Sequence, residues 1–181
     1  QTGQAVDKWG LCNYWLPQNP GADWAHINTI TPFENEDAIL LSSRNQHTLF
    51  KLELADDELD WKLGKHGDFG LADDELFFRQ HAPEFQENGN ILLFDNGDFV
   101  DFNDREWSRA VEYSYDTNTM EAELVWSYRP DPDIFAPIWG DADRLDNGNT
   151  LITFGRRGKD ETSHLIEITE AKEEVWHVES P

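Results

Sequence analysis

Three segments of this chain repeat one layout, and a repeat restricts the possible folds more than composition does. The first segment reads AHINTI (25–30), AILLSSR (38–44), TLFKLEL (48–54) and LDWKLG (59–64). The second reads QHAPEF (80–85), NILLFDN (90–96), RAVEYSY (109–115) and ELVWSYR (123–129). The third reads GDADRL (140–145), TLITFGR (150–156), HLIEIT (164–169) and EVWHVE (174–179). Each is four short runs rich in β-branched and aromatic residues, with turn chemistry such as Asn88-Gly89, Asn96-Gly97 and Asn147-Gly148 between runs. No longer stretch carries a helical apolar stripe. Trp61, Trp126 and Trp176 each fall in the fourth run. Sandwiches and up-and-down barrels also consist of short strands, but neither requires recurrence in fours with a tryptophan at a fixed place. The pattern predicts an all-β fold, a β-propeller of four-stranded antiparallel blades.

About three blades fit, over 24–70, 71–133 and 134–181, with 1–23 as an entry segment or the remnant of a preceding blade. A closed propeller needs at least about four blades. The economical expectation is a piece of a longer propeller, with the remaining blades elsewhere or supplied by a second copy.

Charge narrows the function. Among 181 residues, 37 Asp and Glu stand against 14 Lys and Arg, a net charge of −23. Such a surface repels phosphate backbones and anionic lipid, so neither nucleic acid nor a membrane surface is an expected partner. The same excess fits a solvated acidic surface or a chain adapted to high salt, where screening relieves self-repulsion. No apolar run is long enough for membrane insertion, and the opening QTGQAVDKWG does not read as a secretory leader. Cys12 is the one cysteine, so neither an internal disulfide nor a cysteine-rich metal site is expected.

In a propeller the first strand of each blade lines the central channel, so equivalent positions converge there. Those positions hold His26, His81 and Asp141, and the ends of the second strands hold Arg44, Asn96 and Arg156. Ser108-Arg109 opens the third strand of the middle blade. Imidazoles and guanidinium groups around one channel form a positive island suited to a compact oxyanion such as sulfate, phosphate or carboxylate. The plainer alternative is that each histidine is a hydrogen-bonded core residue.

DWAHINTI (23–30), SSR (42–44), QHA (80–82), FDNGD (94–98), SRAVEY (108–113), VWSYRP (125–130) and GDADRLDNGNTLI (140–152) together resemble the arylsulfate sulfotransferases over about residues 23–180. The resemblance implies a six-bladed propeller that moves a sulfuryl group from an aryl sulfate to a phenol through a sulfated histidine, without a nucleotide donor. It also implies a periplasmic or extracellular setting. The site it implies has His26, His81 and Arg109 as catalytic residues, with Arg44, Asn28, Asn96 and Arg156 binding substrate. Arg109 and His26 would hold sulfuryl oxygens, and His81 would hold them or carry a proton at the phenol. The sulfated histidine itself is implied in the following blade, near LITFGRRGKDETSH (151–164), where His164 is the nearest histidine and reads as a strand position.

No cofactor is expected, since neither a phosphate-cradling loop nor a dinucleotide fingerprint is present. No metal site is expected either: Asp95-Asn96-Gly97-Asp98 and Asp141-Ala142-Asp143 lack the spacing of a calcium loop and read as turn chemistry. His47, His66 and His177 read as turn, loop and outer-strand positions without a role. The alternative to an enzyme is a non-catalytic propeller that binds an anionic aromatic ligand or a protein partner.

Overall fold

The computed structural model describes residues 10–17, 21–56, 58–98, 105–155 and 162–180. Their strands form three four-stranded antiparallel sheets, each paired in chain order. The first holds β1 (Ile27–Pro32), β2 (Ala38–Ser43), β3 (Thr48–Glu53) and β4 (Glu58–Gly64). The second holds β5 (His81–Phe85), β6 (Ile91–Asp95), β7 (Arg109–Asp116) and β8 (Glu121–Tyr128). The third holds β9 (Asp141–Arg144), β10 (Thr150–Phe154), β11 (Ser163–Ile168) and β12 (Glu174–Ser180). Two single 3-10 turns, Leu11–Asn13 and Arg44–Gln46, are the helical elements among the described residues. The chain is all-β and its sheets have the form of propeller blades. No helix among the described residues is long and apolar enough to cross a membrane.

The repeat persists down to single hydrogen bonds. In the second sheet Gly89 takes φ 86°, the Asn90 amide donates to Asn88 Oδ1, and Asn90 Nδ2 donates to Glu112 Oε1 at 2.7 Å. In the third, Gly148 takes φ 84°, the Asn149 amide donates to Asn147 Oδ1, and Asn149 Nδ2 donates to Glu167 Oε1 at 2.6 Å. The Asn-Gly dipeptide makes the turn, and the asparagine after it ties that turn to a glutamate on the third strand. The three fourth-strand tryptophans occupy one register position: Trp61 lies opposite Lys51, Trp126 opposite Glu112 and Trp176 opposite Glu167.

The middle sheet packs on both neighbours. Leu40, Leu49, Trp61 and Leu63 meet Phe77, Leu93, Val111 and Tyr113 in one core. Leu92, Phe94 and Ala110 meet Ala142, Ile152, Phe154 and Ile166 in the other. Burying each leucine, isoleucine, valine or phenylalanine among them contributes about 1.5–3 kcal/mol. Close approach between the second and third sheets depends on Gly140, whose φ of 132° excludes most side chains and whose added Cβ would lie 2.4 Å from the Phe94 ring. Leu11, Tyr14 and Trp15 cover the other face of the first sheet around Leu41, Phe50 and Leu52.

The inner strands β1, β5 and β9 lie side by side. Side chains of β1 bridge to the backbone of the next sheet. Asn28 Nδ2 donates to the Gln80 carbonyl at 2.7 Å, Thr31 Oγ1 donates to the Pro83 carbonyl at 2.8 Å, and Thr29 Oγ1 accepts the Ala82 amide at 3.2 Å.

Candidate functional site

The register shifts between Ile27 and Thr29 in β1, and between His81 and Glu84 in β5, mark a bulge near the start of each inner strand. A bulge re-aims the side chains around it. Five residues in this neighbourhood occupy the left-handed backbone region without being glycine: His26 (φ 46°), His47 (φ 52°), Arg79 (φ 51°), Ala82 (φ 48°) and Trp139 (φ 58°). Strain of this kind persists only where the surroundings over-determine the backbone.

His81 opens β5, and its Nδ1 lies 2.7 Å from Asn96 Oδ1 and 3.0 Å from the Arg79 carbonyl. Asn96 is fully buried, and its Nδ2 donates to the carbonyls of Ala136 and Trp139, both at 2.6 Å. That fixes the amide, so Asn96 Oδ1 can only accept. Two acceptors facing Nδ1 place the proton of a neutral His81 there and leave the lone pair on Nε2. Burial pushes His81 below the usual imidazole range, and the charges of Arg44 and His26 act the same way against the pull of the Asn96 hydrogen bond. The ring is therefore neutral at pH 7.

His26 stands just before β1 with Nδ1 2.5 Å from Asp23 Oδ2. The turn after β2 holds this segment in place. Ser43 Oγ donates to the Ala25 carbonyl, the Arg44 amide to the His26 carbonyl, Asn45 Nδ2 to the Asp23 carbonyl and Gln46 Nε2 to the Trp24 carbonyl.

The Arg44 guanidinium donates to Asn45 Oδ1 at 3.0 Å and to the Pro137 carbonyl at 2.9 Å, and pairs with no carboxylate among the described residues. Burial, followed by repulsion from Arg79, lowers its pKa, with Asp98 and Asp23 opposing. The charges of Arg44 and His26 both act on the His81 ring, and the carboxylates of Asp98 and Asp23 act on Arg44. A pocket of about 350 Å³ next to it is lined by Asp23, Trp24, Asn45, Gln46 and Arg79, among others. None of the expected site residues lines that pocket.

Arg109 stands differently. It opens β7, is 8% exposed, and donates from Nε to Asp95 Oδ2 at 2.9 Å and from its terminal nitrogen to the Leu76 carbonyl at 3.2 Å. Asp95 also accepts from Arg105 at 2.5 Å and from the amides of Phe78 and Gly97. Asn28 points across to Gln80, next to His81, and its buried Oδ1 has no hydrogen-bond partner. Arg156 lies outside the described residues. His164, the histidine nearest the implied sulfated position, sits on β11, where its Nδ1 meets His177 Nε2 at 2.9 Å.

Three contributors were not singled out from the sequence. Arg79 lines the pocket, and its Nε donates to Asp98 Oδ1 at 3.0 Å. His47, read as a turn residue, is 2% exposed and accepts the Arg79 amide at 3.0 Å on Nδ1. Asp95, read as turn chemistry, gathers two arginines and two amides. The run Arg79-Gln80-His81 was the one available signal, a cation two positions before the repeat-equivalent histidine.

The family model for arylsulfotransferases (ASST) matches residues 12–179. The arylsulfate sulfotransferase AssT of Escherichia coli O6:H1 is 28% identical over 174 residues, covering 77% of this chain and 29% of that protein. The protein of the same name from Lelliottia amnigena is 24% identical over 166 residues, covering 73% of this chain and 27% of that protein. The chain thus spans less than a third of the length of these curated relatives.

Proposed function

The chain belongs to the arylsulfotransferase family, and on that premise we propose that it carries part of a site moving a sulfuryl group from an aryl sulfate to a phenol. In a departure from the position the resemblance implies in the following blade, where His164 faces His177 instead, His81 is assigned as the nucleophile. The observation that supports this reading is the tautomer: Asn96 holds the Nδ1 proton, so Nε2 presents a lone pair on a ring kept neutral at pH 7. In the first half-reaction Nε2 attacks sulfur, the sulfur–aryl oxygen bond breaks with its electron pair, and the phenolate leaves. In the second, the acceptor phenol oxygen attacks the same sulfur, the nitrogen–sulfur bond breaks, and Nε2 regains its lone pair. Neither half needs an oxidant or a reductant. No cofactor is part of this scheme.

Arg44 stabilises charge on the sulfuryl oxygens, together with the Asn28 Nδ2 hydrogen that Gln80 does not take, and Asn96 orients His81. The imidazole of His26, with Nδ1 on Asp23, gives a proton to the leaving phenolate and takes one from the acceptor. Arg109 acts through Asp95, holding the end of β6 from which Asn96 projects. Trp139 is 62% exposed, and its carbonyl shares the Asn96 amide with His81, so its indole is available to an aryl group. Arg156 is kept as a substrate-binding residue on its repeat position alone. Trp61 is 3% exposed beneath the second sheet while Trp176 is 37% exposed, and on that difference a further blade, from the longer protein or a second copy, covers the Trp176 face.

The test uses the full-length protein with 4-nitrophenyl sulfate. A sulfuryl adduct on the peptide containing His81, with phenol-dependent release of 4-nitrophenol, is the expected result. His81→Ala removes both, and Arg44→Ala slows release about a hundredfold to a thousandfold. An adduct that forms unchanged in His81→Ala overturns the nucleophile assignment. No adduct and no release overturns the enzyme reading in favour of a non-catalytic propeller that binds an anionic aromatic ligand or a partner.

A further inference from the structure

Far from the inner strands, two histidines and a glutamate of the third sheet meet on one face. His164 of β11 and His177 and Glu179 of β12 each present one ligand atom, all within 4.8 Å of one another. The register explains the meeting: His164 lies opposite Glu179 and His177 opposite Ile166, so all three project from the Ile166 side. That side packs on the middle sheet, because Ile166 belongs to the core the second and third sheets share. Trp176 and Val178 occupy the opposite face, so whatever covers Trp176 leaves the histidines open.

His164 Nδ1 and His177 Nε2 are 2.9 Å apart. Two nitrogens on one zinc at about 2.0–2.1 Å each are separated by roughly 2.9–3.4 Å for ligand angles between about 90° and tetrahedral, so this pair is already at coordinating distance. Of the remaining ring nitrogens, one is hydrogen-bonded and the other has a carboxylate nearby. His164 Nε2 lies 3.2 Å from Thr162 Oγ1, and His177 Nδ1 lies 3.8 Å from Glu174 Oε2. Metal-bound histidines commonly donate their second N–H to an oxygen, which fixes the tautomer that leaves the other nitrogen bare. On His164 that favours Nδ1 as the bare nitrogen; it shares a hydrogen bond with His177 Nε2, and a metal would take the place of the shared proton. Glu179 Oε1, 3.9 Å from His164 Nδ1, supplies the third ligand after a small rotation of a side chain that is 61% exposed.

We propose that His164, His177 and Glu179 form a surface site for a first-row divalent transition metal, Zn²⁺ above all, which clips the edge strand β12 to β11. The two imidazole nitrogens suit Zn²⁺ and its first-row neighbours and do not suit Ca²⁺ or Mg²⁺, which take all-oxygen ligand sets; the single carboxylate suits either class. With three protein ligands the coordination is completed by water, and the site lies apart from the His81 cluster. The inference does not depend on the sulfotransferase reading.

Isothermal titration of the purified chain with ZnCl₂, in a non-chelating buffer with excess MgCl₂ to occupy diffuse carboxylate sites, tests it. One Zn²⁺ per chain with a dissociation constant in the micromolar range or tighter is the expected result. His164→Ala and His177→Ala each abolish the stoichiometric phase, and Thr162→Val weakens it about tenfold. In the two-dimensional NMR spectrum, Zn²⁺ shifts the ring signals of His164 and His177 and leaves those of His26 and His81 in place. Binding that persists at full stoichiometry in the His164→Ala/His177→Ala double variant overturns the proposal, as does the absence of saturable binding to the wild type. Circular dichroism of the variants separates lost ligands from lost fold.

Discussion

Along the seams that the middle sheet makes with its neighbours, Ser42, Gln80, Asp95, Asn96 and Ser108 are wholly inaccessible, whereas along β12 every residue from Glu174 to Ser180 is exposed. Both regions are rich in polar groups, yet they are built on different terms. In the seam most buried donors and acceptors have a partner in another strand or loop, with Asn28 Oδ1, Gln80 Oε1 and Arg105 Nε as exceptions among the described residues, so each group depends on several others being in place. Along β12 the polar groups face water, and one cross-strand ladder holds the strand. A site that must keep a histidine in one tautomer belongs in the first environment, where a misplaced proton or rotamer leaves a buried group unpaired. The second environment can gain or lose a ligand without disturbing the fold.

The largest expected effect comes from emptying the seam's hub. Asp95→Ala leaves the guanidinium groups of Arg105 and Arg109 and the amides of Phe78 and Gly97 without their acceptor. Removing one partner of a buried pair costs about 3–5 kcal/mol, read as a lower urea midpoint. Glu167→Ala in the third sheet, which removes the acceptor of Asn149 and Trp176, leaves that midpoint close to wild type. Equal losses in the two variants would erase the contrast between the regions.

A smaller and pH-dependent effect belongs to His47. Burial lowers its pKa to about 3, while in the unfolded chain it is about 6.5. Above pH 6.5 both states are neutral and His47 contributes no pH dependence. As pH falls below 6.5 the unfolded chain binds a proton that the native state refuses, so stability declines by about 1.4 kcal/mol per pH unit until native His47 itself titrates. Asparagine tolerates the left-handed φ of 52°, and its Oδ1 can accept the Arg79 amide. His47→Asn therefore flattens the pH 6.5–4 slope of unfolding free energy by that amount relative to wild type. An exposed-strand change such as Val175→Asn keeps the wild-type slope.

The smallest effect has the opposite sign. Burial, then the charge of Asp143, pushes Asp141 up to about 6. A carboxyl group raised above its unfolded value of about 3.9 destabilises the native state above pH 6 and stops doing so below pH 3.9. Discounted for partial exposure, Asp141→Asn stabilises the chain by about 1–2 kcal/mol at pH 8 and hardly at all near pH 4. Glu173→Gln, in the exposed turn before β12, changes neither value.

The strands were legible because period-2 apolar runs and Asn-Gly turns are local signals, and every strand begins and ends within two residues or so of its run. The shared register of Trp61, Trp126 and Trp176 follows from the same periodicity. The site was legible only as a set of positions. His26, His81, Arg44 and Asn96 could be aligned by repeat, but the lone pair of His81 depends on Asn96 being held by carbonyls some forty residues further along the chain. Arg109 occupies a position that reads like a sulfuryl-binding residue, yet Asp95, fourteen residues earlier, takes its charge. Which of several nearby acids neutralises an arginine is decided by three-dimensional proximity, and no spacing rule states it. His164 reads as an ordinary strand position for the same reason: its neighbour His177 is brought to it by hairpin register.

The open ladder edge of β12, with Val175, Trp176 and Val178 exposed along it, has a colloidal consequence. A bare strand edge invites addition of another strand, and natural sheets guard such edges with charge. Glu174 and Glu179 guard this one locally, and mutual repulsion between highly anionic molecules guards it at long range. Both protections fade toward the isoelectric point near 4.3. Precipitation of this chain on acidification is then expected to begin edge to edge at β12, near the isoelectric point.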